Sequence, residues 1–385
     1  MYKDIQPIQI DVICDCADCY DTPIFNAQQA KFLQDSGFFH INAQALIHQS
    51  EQGFLDSINN LKQSSSHVLF CVGLDQHNKG VDIARYPDLF KQYEHLVYIV
   101  TEPIFTSMAY PTAKTSHIKF LDDYEKLTGQ LPSLVLYPSK IDCALSPVPN
   151  TLFWTNLVDL YCNFEVGFNK KKQGVLAGAF NNAWEGRWGS IMMIYTGCSL
   201  LMDFKVDVYQ RDLAGQYDTS YQQLCQKVTD SMVQFQPSHG FLFHNLRFLQ
   251  SWFAGTIPVV VNMANWKEDP DVNQYYPDWM SQHMETCVLT DTRNFLIDMN
   301  KLLQHSDNVL RMLENISKLN LTEYTASTMI QNIYKKLSAP CDLSVSDLIR
   351  CDTAQSATTW QLPMLIQKDS KTAYGTDSPY PDKDI

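Results

Sequence analysis

Residues 238–262 read SHGFLFHNLRFLQSWFAGTIPVVVN and set a polar loop, an amphipathic helix, a glycine stop and an apolar strand in immediate succession. Leu242, Leu246, Leu249 and Phe253 recur at spacings of four, three and four. That places them on one helical face and predicts that this face packs on a sheet. Arg247, Gln250 and Ala254 share a different face. Gly255 stands where a helix end often needs a positive φ. Thr256–Asn262 then returns as a strand.

The same alternation runs through the chain. Ile10–Cys14, Val68–Gly73, Val97–Thr101 and Leu134–Tyr137 are short, apolar, β-prone runs, and helical sequence such as 26–37 and Gly53–Leu61 falls between them. The pattern restarts after a polar segment, Lys170–Gly174, read as a hinge. Strands are expected at Val175–Phe180, Cys198–Met202, Met232–Gln236 and Thr256–Asn262. Helices are expected at Arg187–Tyr195, Tyr221–Thr229, Asn245–Ala254, Asn294–Gln304 and Asp307–Leu319. Strands alternating with helices predict parallel sheets covered on both faces. A chain of 385 residues suits two such domains of about 150–200 residues each. The expected division is 1–170, 171–338 and an irregular tail, 339–385, rich in Ser, Thr, Asp and Pro.

Charge narrows the partners. The net charge is −13, whereas a general nucleic-acid binder needs a basic surface to exchange for counterions. No signal-peptide pattern and no apolar run of membrane-spanning length is present, so a cytoplasmic protein is expected. Of eleven cysteines, only Cys14, Cys16 and Cys19 cluster. They lack the second pair that a structural zinc site uses, which leaves buried, reduced thiols as the expectation.

Pro237-Ser-His-Gly240 precedes the helix of the opening segment. Its backbone N–H groups and the helix N-terminus are suited to phosphate oxygens, and Arg247 adds a cation. His239 and His244 flank this loop. Carboxylates and histidines at the carboxyl ends of parallel strands in the first half are candidate site residues, since open α/β sheets bind ligands there. Glu102 follows its strand directly as Thr-Glu-Pro. Asp75 and His77 follow another strand, and Asp15 and Asp18 follow the first. No GxGxxG, Walker lysine or Asp-x-Asp metal motif is present, so neither a dinucleotide cofactor nor a metal is expected.

Arg247, Phe248, Gln250 and the run Ala254-Gly255-Thr256-Ile257-Pro258-Val259 resemble the donor-binding domain of GT-B glycosyltransferases, near the family 1 and spore-coat-protein-like members. The resemblance spans about residues 173–337 and implies two Rossmann-like domains facing each other across a cleft. It implies donor contacts from Ser238, His239, Gly240, Asn245, Arg247, Gln250, Gly255 and Thr256. It also implies a diphosphate contact from Arg187, beyond the first strand of the second half. Such enzymes carry a Glu where this chain has Gln250. The implied activity is metal-independent transfer of a sugar from a nucleotide-diphosphate sugar to an acceptor hydroxyl, with Glu102, Asp75 and Arg187 as the catalytic candidates. A non-catalytic nucleotide-sugar or glycan-binding protein, and a transferase acting on modified DNA bases, remain as alternatives.

Overall fold

The computed structural model describes residues 6–14, 27–46, 51–73, 83–84, 86–100, 104, 111–138, 140–154, 159, 171–178, 187–210, 221–237, 245–262 and 283–338. In the first half, strands β1 (Ile8–Cys14), β2 (Phe39–Leu46), β3 (Val68–Gly73), β4 (His95–Val100), β5 (Leu134–Tyr137) and β6 (Thr151–Phe153) alternate with helices. These are α1 (Ala27–Asp35), α2 (Glu51–Lys62), α3 (Pro87–Lys91), α4 (Pro111–Thr128) and α5 (Lys140–Leu145). The strands pair in parallel in the order β2-β1-β3-β4-β5-β6.

Period-two alternation divides the first sheet's side chains between two cores. Ile10, Val12, Phe70, Val97, Ile99 and Leu136 face one side. Ile13, Leu69, Cys71, Leu96, Tyr98 and Val135 face the other. Central strands covered on both faces read as unbroken apolar runs for this reason. The edge strand β2 alternates instead: Phe39 and Ala45 are buried while His40, Asn42 and Gln44 are exposed.

The second half builds β7 (Lys171–Gly178), α6 (Arg187–Thr196), β8 (Lys205–Gln210), α7 (Tyr221–Asp230), β9 (Ser231–Pro237), α8 (Asn245–Phe253), β10 (Ile257–Asn262) and β11 (Val288–Asp291). Helices α9 (Phe295–Gln304), α10 (Ser306–Ser317) and α11 (Ala326–Ser338) follow. Its sheet is also parallel, in the order β11-β10-β9-β7-β8. The protein thus has two Rossmann-like parallel α/β sheets, consistent with the two-domain GT-B fold that the resemblance implies.

Two local expectations are corrected. Cys198–Met202 is not a strand: Gly197–Leu201 continues α6 as a π-helix. The close approach of Leu296 explains the glycine there, since a Cβ on Gly197 would lie 2.6 Å from Leu296 Cδ2. The strand comes later, as β8. The segment expected as a hinge at 170–174 is largely the start of β7. Gln173 is buried and donates from Nε2 to Ser231 Oγ at 3.0 Å, and a side chain at Gly174 would collide with the Phe235 ring.

The last helix returns to the first sheet. Ala326, Met329, Ile330 and Ile333 of α11 pack into the core that holds Ile10, Phe39 and Trp154. Burying each of the three larger side chains contributes roughly 1.5–3 kcal/mol. The Asp159 carboxylate accepts the Ala326 N–H at 2.9 Å and so caps α11 from a distant point in the chain. Lys336 Nζ donates to Asn150 Oδ1 at 2.9 Å, and Tyr334 donates its hydroxyl to the Gln6 carbonyl at 3.2 Å.

Candidate functional site

From β7 the chain moves outward to β8, then returns to the other side of β7 as β9. β7 and β9 are therefore neighbours at the point where the strand order reverses. Ligands of open parallel sheets bind outside the carboxyl ends of such a pair. Two helices begin there. α6 opens on Arg187 after β7, and α8 opens on Asn245 after β9, with Arg247 in its first turn. Each start presents backbone N–H groups that no carbonyl of its own helix can pair, together with the positive end of a helix dipole. Such ends favour an anion, and an arginine adds charge-assisted hydrogen bonds to phosphate.

Arg247 is held from below by a buried amide network. Its Nη1 donates to Gln250 Oε1 at 3.3 Å, and Gln234 Nε2 donates to the same oxygen at 2.9 Å. Gln250 Nε2 donates to Cys225 Sγ at 3.2 Å. Ser251 Oγ lies 2.5 Å from Gln234 Oε1 and 2.9 Å from the Arg247 carbonyl, and places its one proton within that pair. An amide oxygen has two lone pairs, and both on Gln250 are in use.

Arg247 and Gln250 share a face of α8 as expected, but that face is turned inward at Gln250. Gln250 and Ala254 are fully buried, because α8 is covered by β9, β10 and α7 rather than by the sheet alone. Gln250 is a scaffold residue with no accepting capacity left for a donor ribose. Gly255 and Thr256 lie past the far end of α8. That helix has nine residues, a length of about 13 Å at 1.5 Å per residue. Gly255 has φ +58 and closes the helix. Thr256 is fully buried and donates its hydroxyl to the Val228 and Ser231 carbonyls, at 2.7 and 3.2 Å. Neither stands at the strand ends where Arg247 does. The structure therefore places only part of the expected donor set together: Asn245 and Arg247 on α8, with the start of α6 at Arg187.

Ser238, His239, Gly240, His244, Glu102, Asp75, His77, Asp15 and Asp18 lie outside the described residues, as do the side chains of Arg187 and Asn245. Their strands are described. β3 ends at Gly73, two residues before Asp75, and flanks the first sheet's own reversal between β1 and β3. β4 ends at Val100, two residues before Glu102.

Sequence reasoning missed a buried polar cluster in the first half. Tyr137, the last residue of β5, meets His117 Nε2 and Ser146 Oγ through its hydroxyl, each at 2.8 Å. The His117 ring stacks on Tyr98 with 5.8 Å between centroids. Burial pushes the His117 pKa down to about 4. Asp11, also buried, accepts from Tyr93 at 2.6 Å and Ser66 at 3.1 Å. These contacts are long-range, and no local spacing marks them. Also missed was Gln236 on β9, for which the signal existed: a second glutamine two residues after Gln234 in a buried strand.

Cys71, Cys143, Cys198 and Cys287 are not disulfide-bonded, and burial pushes the thiols of Cys143 and Cys198 up to about 12. Cys225 departs from the expected pattern and is disulfide-bonded. Among the described residues no group of three His, Cys, Asp or Glu side chains is arranged to hold a metal ion. Within the same residues no helix is long and apolar enough to cross a membrane.

No family model matches the chain, and no curated protein matches it. Solved structures do. The chain is similar to HepE of Anabaena in complex with UDP-glucose, at 12% identity and TM-score 0.48, covering 86% of this chain and 99% of that one. It is similar to the spinosyn forosaminyltransferase SpnP at 8% identity and TM-score 0.40, with 86% and 99% covered. A putative UDP-N-acetylglucosamine 2-epimerase from Listeria monocytogenes matches at 11% identity and TM-score 0.46, with 86% and 95% covered. At these values nothing about activity carries over, and the fold assignment rests on the two strand orders themselves.

Proposed function

We propose that the protein transfers a sugar from a nucleoside-diphosphate sugar to an acceptor hydroxyl, and that the donor's diphosphate sits at the carboxyl ends of β7 and β9. One observation carries the reading. The two strands at the reversal point each lead to a helix with an arginine in its first turn, Arg187 on α6 and Arg247 on α8.

In this reading the residues divide the work as follows. Arg187, Arg247 and the start of α8 hold the diphosphate and stabilise the charge that grows on it as the sugar departs. Ser238, His239, Gly240 and Asn245 supply donors around the same group. Gln250, Gln234 and Ser251 hold Arg247 in place. Glu102 or Asp75, beyond β4 and β3, takes the acceptor proton if configuration inverts. In a retaining reaction Glu102 matters much less.

Isothermal titration with a panel of nucleotide sugars tests the site, beginning with UDP-glucose, the ligand in the HepE structure. Saturable binding that Arg247→Ala abolishes supports it. Slow donor hydrolysis that disappears in Glu102→Ala favours the enzyme. Intact binding with no turnover on any acceptor favours a non-catalytic binding protein.

A further inference from the structure

Gln236 is the last residue but one of β9 and is 7% exposed. Among the described residues neither its Nε2 nor its Oε1 has a hydrogen-bond partner. An amide buried without a partner costs stability. The neighbouring amide on the same strand is satisfied: Gln234 bonds Gln250 and Ser251 of α8.

Strand geometry says where the orphan points. Side chains two residues apart share a face, so Gln236 faces α8 as Gln234 does. Two residues of strand advance about 6.6 Å. α8 runs opposite to β9, and that distance is about four to five residues of helix at 1.5 Å each. Counting back from Gln250 and Ser251 reaches residues 245–247, the first turn. The unpaired amide is therefore aimed under the helix start that carries Arg247.

We infer that Gln236 is a ligand contact of this site, reading the hydroxyl groups that adjoin the bound diphosphate. The inference rests on the proposed donor site. A diphosphate offers only acceptors and would leave Oε1 unpaired. A hydroxyl both donates and accepts and satisfies the two ends of the amide. Two sources carry that chemistry next to a diphosphate, the ribose of the nucleotide and the hexose being transferred. The division of labour is then clear. Arg247 and the helix start hold the charge, and Gln236 selects the carbohydrate attached to it.

The test titrates wild type, Gln236→Met and Gln236→Leu with inorganic pyrophosphate, UDP and UDP-glucose, and measures thermal unfolding without ligand. Both variants are expected to unfold at a higher temperature than wild type, because an unpaired polar group has been replaced by an apolar one. Their pyrophosphate affinity is expected to stay unchanged. UDP affinity falls tenfold or more if the ribose is read; only UDP-glucose affinity falls if the hexose is read. A lower unfolding temperature in both variants overturns the inference, since Gln236 then has a structural partner. Unchanged affinity for all three probes overturns it as well. Arg247→Ala, run in parallel, separates the two levels. If it leaves pyrophosphate binding intact, or if wild type binds none of the probes, the donor site itself has failed and the Gln236 contact falls with it.

Discussion

The two halves of the molecule bury polarity in different chemical forms. Among the described residues the first sheet encloses groups that titrate: Asp11, His117, Asp142 and the hydroxyls of Tyr93, Tyr98, Tyr124 and Tyr137. The second encloses mainly amides and hydroxyls: Gln173, Gln234, Gln236, Gln250, Ser251, Thr256 and Thr290. Asp298 is its buried carboxylate, with Lys301 at 3.6 Å. A buried neutral amide holds its neighbours equally well at any ordinary pH. A buried histidine or tyrosine does so only within a window. The half proposed to bind an anionic donor thus has a scaffold around Arg247 that is insensitive to pH, and the sensitivity is concentrated in the other half.

Acid provides the largest expected effect. Burial holds the His117 pKa at about 4, against 6.5 in an unfolded chain. Between those values the unfolded chain binds a proton that the native state does not. Stability from this group is therefore complete above about pH 6.5 and lost as pH falls toward 4. The difference amounts to about 3 kcal/mol at 1.36 kcal/mol per pKa unit. Amide hydrogen exchange at about pH 4.5 is expected to show β4 and β5 losing protection while β9 and β10 keep theirs. Equal loss in both sheets breaks the contrast. At the opposite extreme, burial holds Tyr93, Tyr98, Tyr124 and Tyr137 above the ordinary value of 10. The first sheet is accordingly expected to weaken again as pH rises past 10.

Two substitutions sharpen the comparison at fixed pH. Tyr93→Phe removes a 2.6 Å donor from the buried Asp11 carboxylate, at an expected cost of about 1.5–3 kcal/mol in denaturant unfolding. Gln234→Met removes neutral hydrogen bonds from the second sheet, at an expected cost of about 1 kcal/mol. Similar losses from the two would remove the distinction between ionic and neutral cores. Smallest of all is Thr256→Val, expected to cost about 1 kcal/mol or less because both carbonyls it serves lie at a helix–strand junction. Its nucleotide affinity is expected to match wild type, since Thr256 lies at the far end of α8 from the proposed site.

Much of the fold was legible in the sequence because central strands and amphipathic helices announce themselves locally. Val68–Gly73, Leu134–Tyr137 and the α8–β10 pair stand in the structure as the sequence predicts. Edge strands did not, because β2 mixes polar and apolar residues and β6 has only three. The π-helix at Gly197–Leu201 was hidden because a short, mainly apolar segment fits a buried helix as well as a strand. At the site, the helix start and Arg247 followed from pattern. The burial of Gln250 did not, because a helical wheel cannot tell that this face meets both β9 and α7. Nor does any local rule set Gln236 apart from Gln234; only the partner across the strand–helix gap separates them.

The central claim is that Arg247, standing at the start of α8 beside the β7–β9 reversal, holds the donor's diphosphate. Titrating wild type and Arg247→Ala with UDP-glucose, alongside their unfolding temperatures, tests it most directly. The expected result is saturable binding by wild type and a loss of about 2–5 kcal/mol in the variant, thirtyfold or more in Kd, with the unfolding temperature little changed. Equal affinity in the two proteins, or no binding by wild type to UDP-glucose or any other nucleotide sugar, would contradict it.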